Sequence, residues 1–324
     1  MYRLLKPILI LAALVMQAGL ATAQAPFWQV EWPNTDFSRS SVDFAEILSG
    51  GPPKDGIPAV DDPAFLSAGD ETRLGGREPV ITLELAGEQP RAYPLRYLTW
   101  HEIVNDVIGG RHVTVTFCPL CNSGIVFDGL VNGEVRTFGV SGKLRHSDMI
   151  MYDRQTESWW QQALGEGIVG AHMGDTLSAL PSWMESWDEY RARNPDGLVM
   201  DQPKASRPYG RNPYVGYDGS FRPFLYSGEN PPHDILPLSR VVRVGDRAWP
   251  LERLRTSGEL REGGVVISWV AGQASALDTA RIADGRDVGS IRVRDGAGRD
   301  LAHDVMFAFA FHAFYPGGIW MLGE

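Results

Sequence analysis

Apolar and polar residues alternate with period two along much of the chain, which predicts strands. Pro79-Val80-Ile81-Thr82-Leu83-Glu84-Leu85 reads as a strand ending at the Ala86-Gly87 turn. The stretch RAYPLRYLTWHEIVNDVIGG differs. Trp100, Ile103, Val104, Val107 and Ile108 recur at i, i+3, i+4, i+7 and i+8, Pro94 suits a first turn and Gly109-Gly110 suits an end, so the spacing predicts a helix. His112 to Phe117 then alternates as a strand that delivers Cys118 at its end. Ile125 to Phe127, Val135 to Val140 and Asp148 to Asp153 continue in the same manner, and Trp183 to Arg193 reads as a short helix.

Gln202 to Pro223 is rich in Pro, Gly and Tyr without periodicity and marks a boundary. Beyond it, Arg247-Ala248-Trp249-Pro250-Leu251-Glu252-Arg253-Leu254 echoes Arg91-Ala92-Tyr93-Pro94-Leu95-Arg96-Tyr97-Leu98. At a similar distance onward, Gly264 to Trp269 stands where Gly110 to Phe117 leads into the cysteines, with Val270-Ala271-Gly272 in place of the cysteine turn. The expectation is an α+β, β-rich fold made of two related halves by internal duplication: residues 24–210 carry the chemistry and residues 211–324 form a degenerate repeat.

The sharpest chemical signal is Phe117-Cys118-Pro119-Leu120-Cys121-Asn122-Ser123-Gly124, which holds the only two cysteines of the 324 residues. Three readings compete. A structural disulfide closing so short a loop contributes roughly 2 kcal/mol, against about 4 to 5 for a long loop. A redox pair uses the same spacing differently, one thiol attacking and the other resolving the mixed disulfide. A metal site uses the cysteines as two soft ligands, but zinc normally takes four protein ligands, and neither a second CxxC nor an HxxxH is present. In thioredoxin the motif opens a helix whose N-terminus stabilises the thiolate, whereas here an apolar strand follows, so the fold is not thioredoxin-like.

Any thiolate therefore needs a cationic side chain from elsewhere, and Arg145 and His146 are the candidates. Strand alternation places His146, Asp148 and Tyr152 on one face, so that Asp148 can orient the imidazole. Met149 and Met151 point the other way and read as core. Trp159 and Trp160 wall a pocket or fill a core, and with Gln162, Asn122 and Ser123 they form the candidate substrate-binding set. His101 with Asn105, and Glu102 with Asp106, are i, i+4 pairs, but HExxN is not the HExxH of zinc proteases. His172, His233, His303 and His312 show no partner in sequence. GxSxG, P-loop and dinucleotide fingerprints do not occur.

Charge and the amino terminus set the compartment and exclude some partners. A formal charge of −10 argues against nucleic acid. Arg3 and Lys6, the apolar run Ile8 to Met16, and Ala21-Thr22-Ala23 before Gln24 read as a secretory signal peptide over residues 1–23. No later stretch approaches the roughly 20 apolar residues of a membrane span. The expected location is periplasmic or secreted, with no integral membrane segment after cleavage.

Taken together, SGGPPKDGIPAVDDPAF (49–65), RAYPLRYLTWHEIVND (91–106), TFCPLCNSGIVFD (116–128), GVSGKLRHSDMIMYDRQTESWWQQ (139–162) and the C-terminal FAFAFHAFYP (307–316) resemble the uncharacterised bacterial and archaeal domain-of-unknown-function 3179 family. Some members of that family are described as selenoproteins. The resemblance implies that the cysteine turn is the functional centre, because a selenol at such a position serves redox catalysis. The functional expectation is thus an exported thiol redox protein without a cofactor. Cys118, Cys121, His146, Arg145 and Asp148 would carry the chemistry, acting on a small molecule or a protein thiol or disulfide as a thiol-dependent oxidoreductase. The alternative is a non-enzymatic binding protein that holds copper or zinc, or another ligand, on Cys118, Cys121 and His146.

Overall fold

A computed structural model describes residues 27–323 of the chain; the expected signal peptide lies outside them. Five main sheets form the blades of a propeller-like ring. Blade I has the strand order Ser182–Ser186, Pro79–Leu83, Arg91–Pro94, Leu198–Met200, Phe65–Ser67. Blade II has Ala179–Leu180, Ser123–Asp128, Arg111–Cys118, Ile103–Ile108, Val60–Asp61. Blade III has Ile47–Ser49, Phe138–Arg145, Asp148–Asp153, Trp159–Gln161, Glu166–Val169. Blade IV has Asp304–Phe307, Arg240–Val244, Arg247–Pro250, Ile319–Trp320, and blade V has Glu259–Glu262, Val265–Val270, Ser290–Asp295.

This corrects the α+β expectation. The helices α1 (Leu95–His101), α2 (Trp187–Arg193), α3 (Leu251–Ser257) and α4 (Ala308–Phe314) are seven residues each, about two turns. They are too short to cover a sheet face, so the sheets cover one another. Nor do two separate halves describe the arrangement. Blade I packs on blade V through Ser182–Ser186 and Ser290–Asp295, and blade II on blade IV through Ser123–Asp128 and Asp304–Phe307. Both large apolar clusters cross the boundary at 210/211: one runs from Ile81 to Val305, the other from Ile103 to Phe314.

The expected helix through Ile108 is also corrected. It stops at His101, and Ile103–Ile108 is a strand paired with Arg111–Cys118. The β-branched residues Ile103, Val104, Val107 and Ile108 suit a strand, and Gly109 and Gly110, at φ 55° and 82°, supply the paired left-handed residues of a tight hairpin turn. Likewise only Trp187–Arg193 of the expected helix from Trp183 is helical, and Ser182–Ser186 is a strand.

Locally the two echo segments are alike. Arg91–Pro94 and Arg247–Pro250 are strands running directly into α1 and α3, with Pro94 and Pro250 at the N-caps. Both helices end on a residue of nearly the same conformation, Glu102 at φ 60°, ψ −33° and Gly258 at φ 72°, ψ −34°, whose N–H donates to the carbonyl of Leu98 or Leu254. No helix among the described residues is long and apolar enough to cross a membrane.

Candidate functional site

In blade II, Cys118 ends its strand opposite Ser123, and Pro119 to Asn122 form the connecting turn. Inside the turn the Cys121 N–H donates to the Cys118 carbonyl (3.3 Å) and the Asn122 N–H to the Pro119 carbonyl (3.3 Å). Blade IV holds the turn from outside. Asp304 accepts from the Ser123 hydroxyl (2.6 Å) and the Gly124 N–H (3.0 Å), and the Phe307 N–H donates to the Cys121 carbonyl (2.8 Å). The Asn122 amide donates to the Val305 carbonyl (2.8 Å) and accepts from the buried Arg240 (3.3 Å), which also pairs with buried Asp218 (3.1 Å). Finally, the Tyr217 hydroxyl donates to the Leu120 carbonyl at 3.0 Å. Asn122 and Ser123, expected to bind substrate, are therefore the anchors of the cysteine turn.

Blade III brings a carboxylate close to the thiols. The strands Phe138–Arg145 and Asp148–Asp153 are joined by the two-residue turn His146-Ser147, at φ 49° and 64°. This turn type favours Asn-Gly, so two ordinary residues hold it under strain. It points the Ser147 carbonyl at both thiols, 3.5 Å from Cys121 Sγ and 3.9 Å from Cys118 Sγ. One Asp148 oxygen accepts from Gln161 Nε2 (2.7 Å) and the Ala163 N–H (3.0 Å), while Oδ1 has no hydrogen-bond partner among the described residues. The two sulfurs and an Asp148 carboxylate oxygen lie within 4.8 Å of one another, and all three residues are buried.

The cluster is rich in acceptors and acids. Burial pushes both thiols up, with nearby Asp148 pushing in the same direction. Burial raises Asp148 to about 6 against the hydrogen bonds from Ala163 and Gln161, and it raises Glu102 to about 8 with help from the Asp148 charge. Among the described residues no Lys, Arg or His forms an ion pair with Asp148 or Glu102; Lys143 meets Glu31 (3.0 Å) and Arg145 meets Glu46 (2.6 Å). Ser147 Oγ, Gln161 Oε1 and Gln162 Oε1 are also buried without partners among the described residues.

The remaining expected residues are placed differently from the expectation. Arg145 and His146 turn to Glu46, the His146 imidazole 3.6 Å from its carboxylate and against the rings of Phe314 and Tyr226. The turn at 146–147 breaks the alternation that would have set His146 beside Asp148, and burial, then Arg145, pull the imidazole toward its neutral form. Trp159 packs with Trp28, Trp32 and Phe37. Trp160 donates to Asp153 (3.0 Å), meets the Phe138 ring edge-on and lies tilted beside His172. Gln162 donates to the Thr116 hydroxyl (2.9 Å) behind the cysteine turn.

A cleft of about 440 Å³ runs alongside, lined by Glu102, Leu120, Met149, Tyr214, Tyr217 and Phe224 among others. Glu102 and Ser147, whose backbone carbonyls meet the Phe117 N–H and the two thiols, were not among the expected site residues. A signal for Glu102 existed, because extending the echo RAYPLRYLTWHE over RAWPLERLRTSG sets it against Gly258. Ser147 acts through its backbone and leaves no side-chain signature.

Residues 54–318 match the family described as "Protein of unknown function (DUF3179)". No curated protein and no solved structure matches the chain.

Proposed function

Since the chain belongs to the DUF3179 family, whose function is unknown, we propose from the chemistry of its site that it is an exported protein holding a thiophilic metal ion, zinc or copper, on Cys118, Cys121 and Asp148. One observation carries this reading: two sulfurs and a carboxylate oxygen within 4.8 Å, buried, with, among the described residues, an unpartnered oxygen and no opposing cation. Buried acids without a counter-charge are costly, and a cation relieves that cost while lowering the pKa of the thiols that bind it. Asp148 takes the place expected for His146 in the donor set. Export rests on the amino-terminal segment alone.

A second reading is favoured by the same adjacency of the thiols. Cys118 and Cys121 would pass two electrons and two protons to a disulfide substrate, which becomes two thiols as the pair closes to a disulfide. Asp148 would be the first proton acceptor. Arg145 and His146 have no part in this version.

Purification without a histidine tag under anaerobic conditions, followed by metal analysis and thiol titration with and without chelator, separates the two. The expected result is one ion per chain and thiols that react only after chelation. Metal-free protein that takes up neither zinc nor copper(I), with a pair that cycles between dithiol and disulfide, would overturn the metal reading in favour of the redox one.

A further inference from the structure

The two thiols and Asp148 are enclosed, Cys118 at 1% exposure and the other two at none. Whatever they take up has to reach them through an opening. The cleft alongside stops short of them: it touches Leu120 of the cysteine turn and Met149 next to Asp148, but none of the three groups themselves. Tyr217 stands at that gap. It lines the cleft, and its hydroxyl donates to the Leu120 carbonyl (3.0 Å). Burial pushes the pKa of that hydroxyl up, and both thiols lie near enough to push it the same way.

The same hydroxyl accepts from the Phe224 N–H (3.2 Å), and among the described residues this is the only bond that holds a main-chain N–H of residues 221–231. That stretch contains no strand or helix and is exposed except at Pro223, Tyr226 and Pro231; Tyr226 rests on the Phe309 ring, 4.9 Å between centroids. A segment with so few bonds and so little buried surface opens at low cost in free energy. Its near end is fixed, because Asp218 pairs with buried Arg240 (3.1 Å) and accepts from the Ser275 hydroxyl (2.6 Å). We infer that residues 221–231 are a strap over the cleft and that Tyr217 is its latch, one hydroxyl tying strap to cysteine turn, so that its release opens the path from the cleft to Cys118 and Cys121. This inference rests on the thiols as the working groups, which the metal and redox readings share.

The test uses the full chain, reduced, metal-free and anaerobic, with iodoacetamide as the probe of thiol access. Alkylation rates are compared for the wild type, Tyr217→Phe and Tyr190→Phe at several urea concentrations below the unfolding transition. Tyr190 is the control, since its hydroxyl bonds the carbonyls of Pro90 (2.8 Å) and Leu198 (2.7 Å) in and beside blade I rather than at the turn. Tyr217→Phe keeps the ring but unties the strap, and it should alkylate about tenfold faster, the scale of one or two lost hydrogen bonds. Its rate should barely change with urea, because local opening exposes little surface. Tyr190→Phe should alkylate as slowly as the wild type. A Tyr217→Phe rate equal to that of the wild type overturns the latch. Equal acceleration by Tyr190→Phe overturns it too, since the thiols would then be reached only through global unfolding. Zinc and copper(I) uptake and disulfide cycling, measured on the same three proteins, judge the two functional readings separately from the alkylation rates.

Discussion

Burial lifts Glu102 to about 8 and Asp148 to about 6, from ordinary values of 4.5 and 3.8. Between each pair of values the folded protein keeps a proton that the unfolded chain has lost. The sign follows: stability is greatest below the unfolded values and declines as pH rises toward the folded ones, by roughly 1.4 kcal/mol per pH unit for each group in its window. Metal-free protein in chelator should therefore show a lower urea midpoint at pH 8 than at pH 5. Glu102→Gln should flatten the decline above pH 6, where Asp148 is already ionised. An unchanged wild-type midpoint would contradict the buried-acid description. Cys118 and Cys121 stand out in the residues alone as the only two cysteines of the chain, whereas Asp148 was expected there as the partner orienting His146, and the structure sets it beside the two thiols instead. Arg145 and His146 were misjudged because their direction depends on a left-handed turn that alternation cannot show.

At the scale of elements, that turn is the most exposed to test. His146-Ser147 occupies a conformation suited to Asn-Gly, and Ser147 Oγ is buried without a partner among the described residues. Replacing the pair (His146→Asn, Ser147→Gly) should raise stability by about 1–2 kcal/mol, by removing left-handed strain. Metal uptake should be unchanged, since neither replaced side chain is a donor and the Ser147 carbonyl is kept. Thermal melts and zinc stoichiometry check both halves of this expectation; loss of zinc with folding intact would return His146 to the donor set. The same kind of turn explains the largest misreading of an element. Helical spacing in Trp100 to Ile108 was real as a pattern, but a β-branched run before Gly109-Gly110 also fits a strand and hairpin, and pairing with Arg111–Cys118 decided it.

For the whole molecule, the cysteine turn of blade II is held by Asp304, Val305, Phe307 and Arg240 of blade IV, nearly 200 residues away in places. The apolar clusters cross the chain midpoint as well. Unfolding should accordingly be a single transition reported alike by tryptophan fluorescence and far-ultraviolet circular dichroism. A chain of residues 24–210 alone should lack a cooperative transition and bind zinc no better than an unstructured dithiol. An independently folded 24–210 fragment with native zinc affinity would show that blade IV is dispensable to the site.

Residue type and local periodicity by themselves determined the strand-rich character and the strand end that presents Cys118, because these depend on side chains within a few positions of one another. Tertiary structure alone decided that the sheets close into a ring, that Asp148 rather than His146 meets the thiols, and that Glu102 faces the cleft. Each of those outcomes depends on the path of backbone between distant segments. A single left-handed residue redirects every side chain beyond it, and the burial that shifts an acid's proton affinity exists only once blades from both ends of the chain have closed around it.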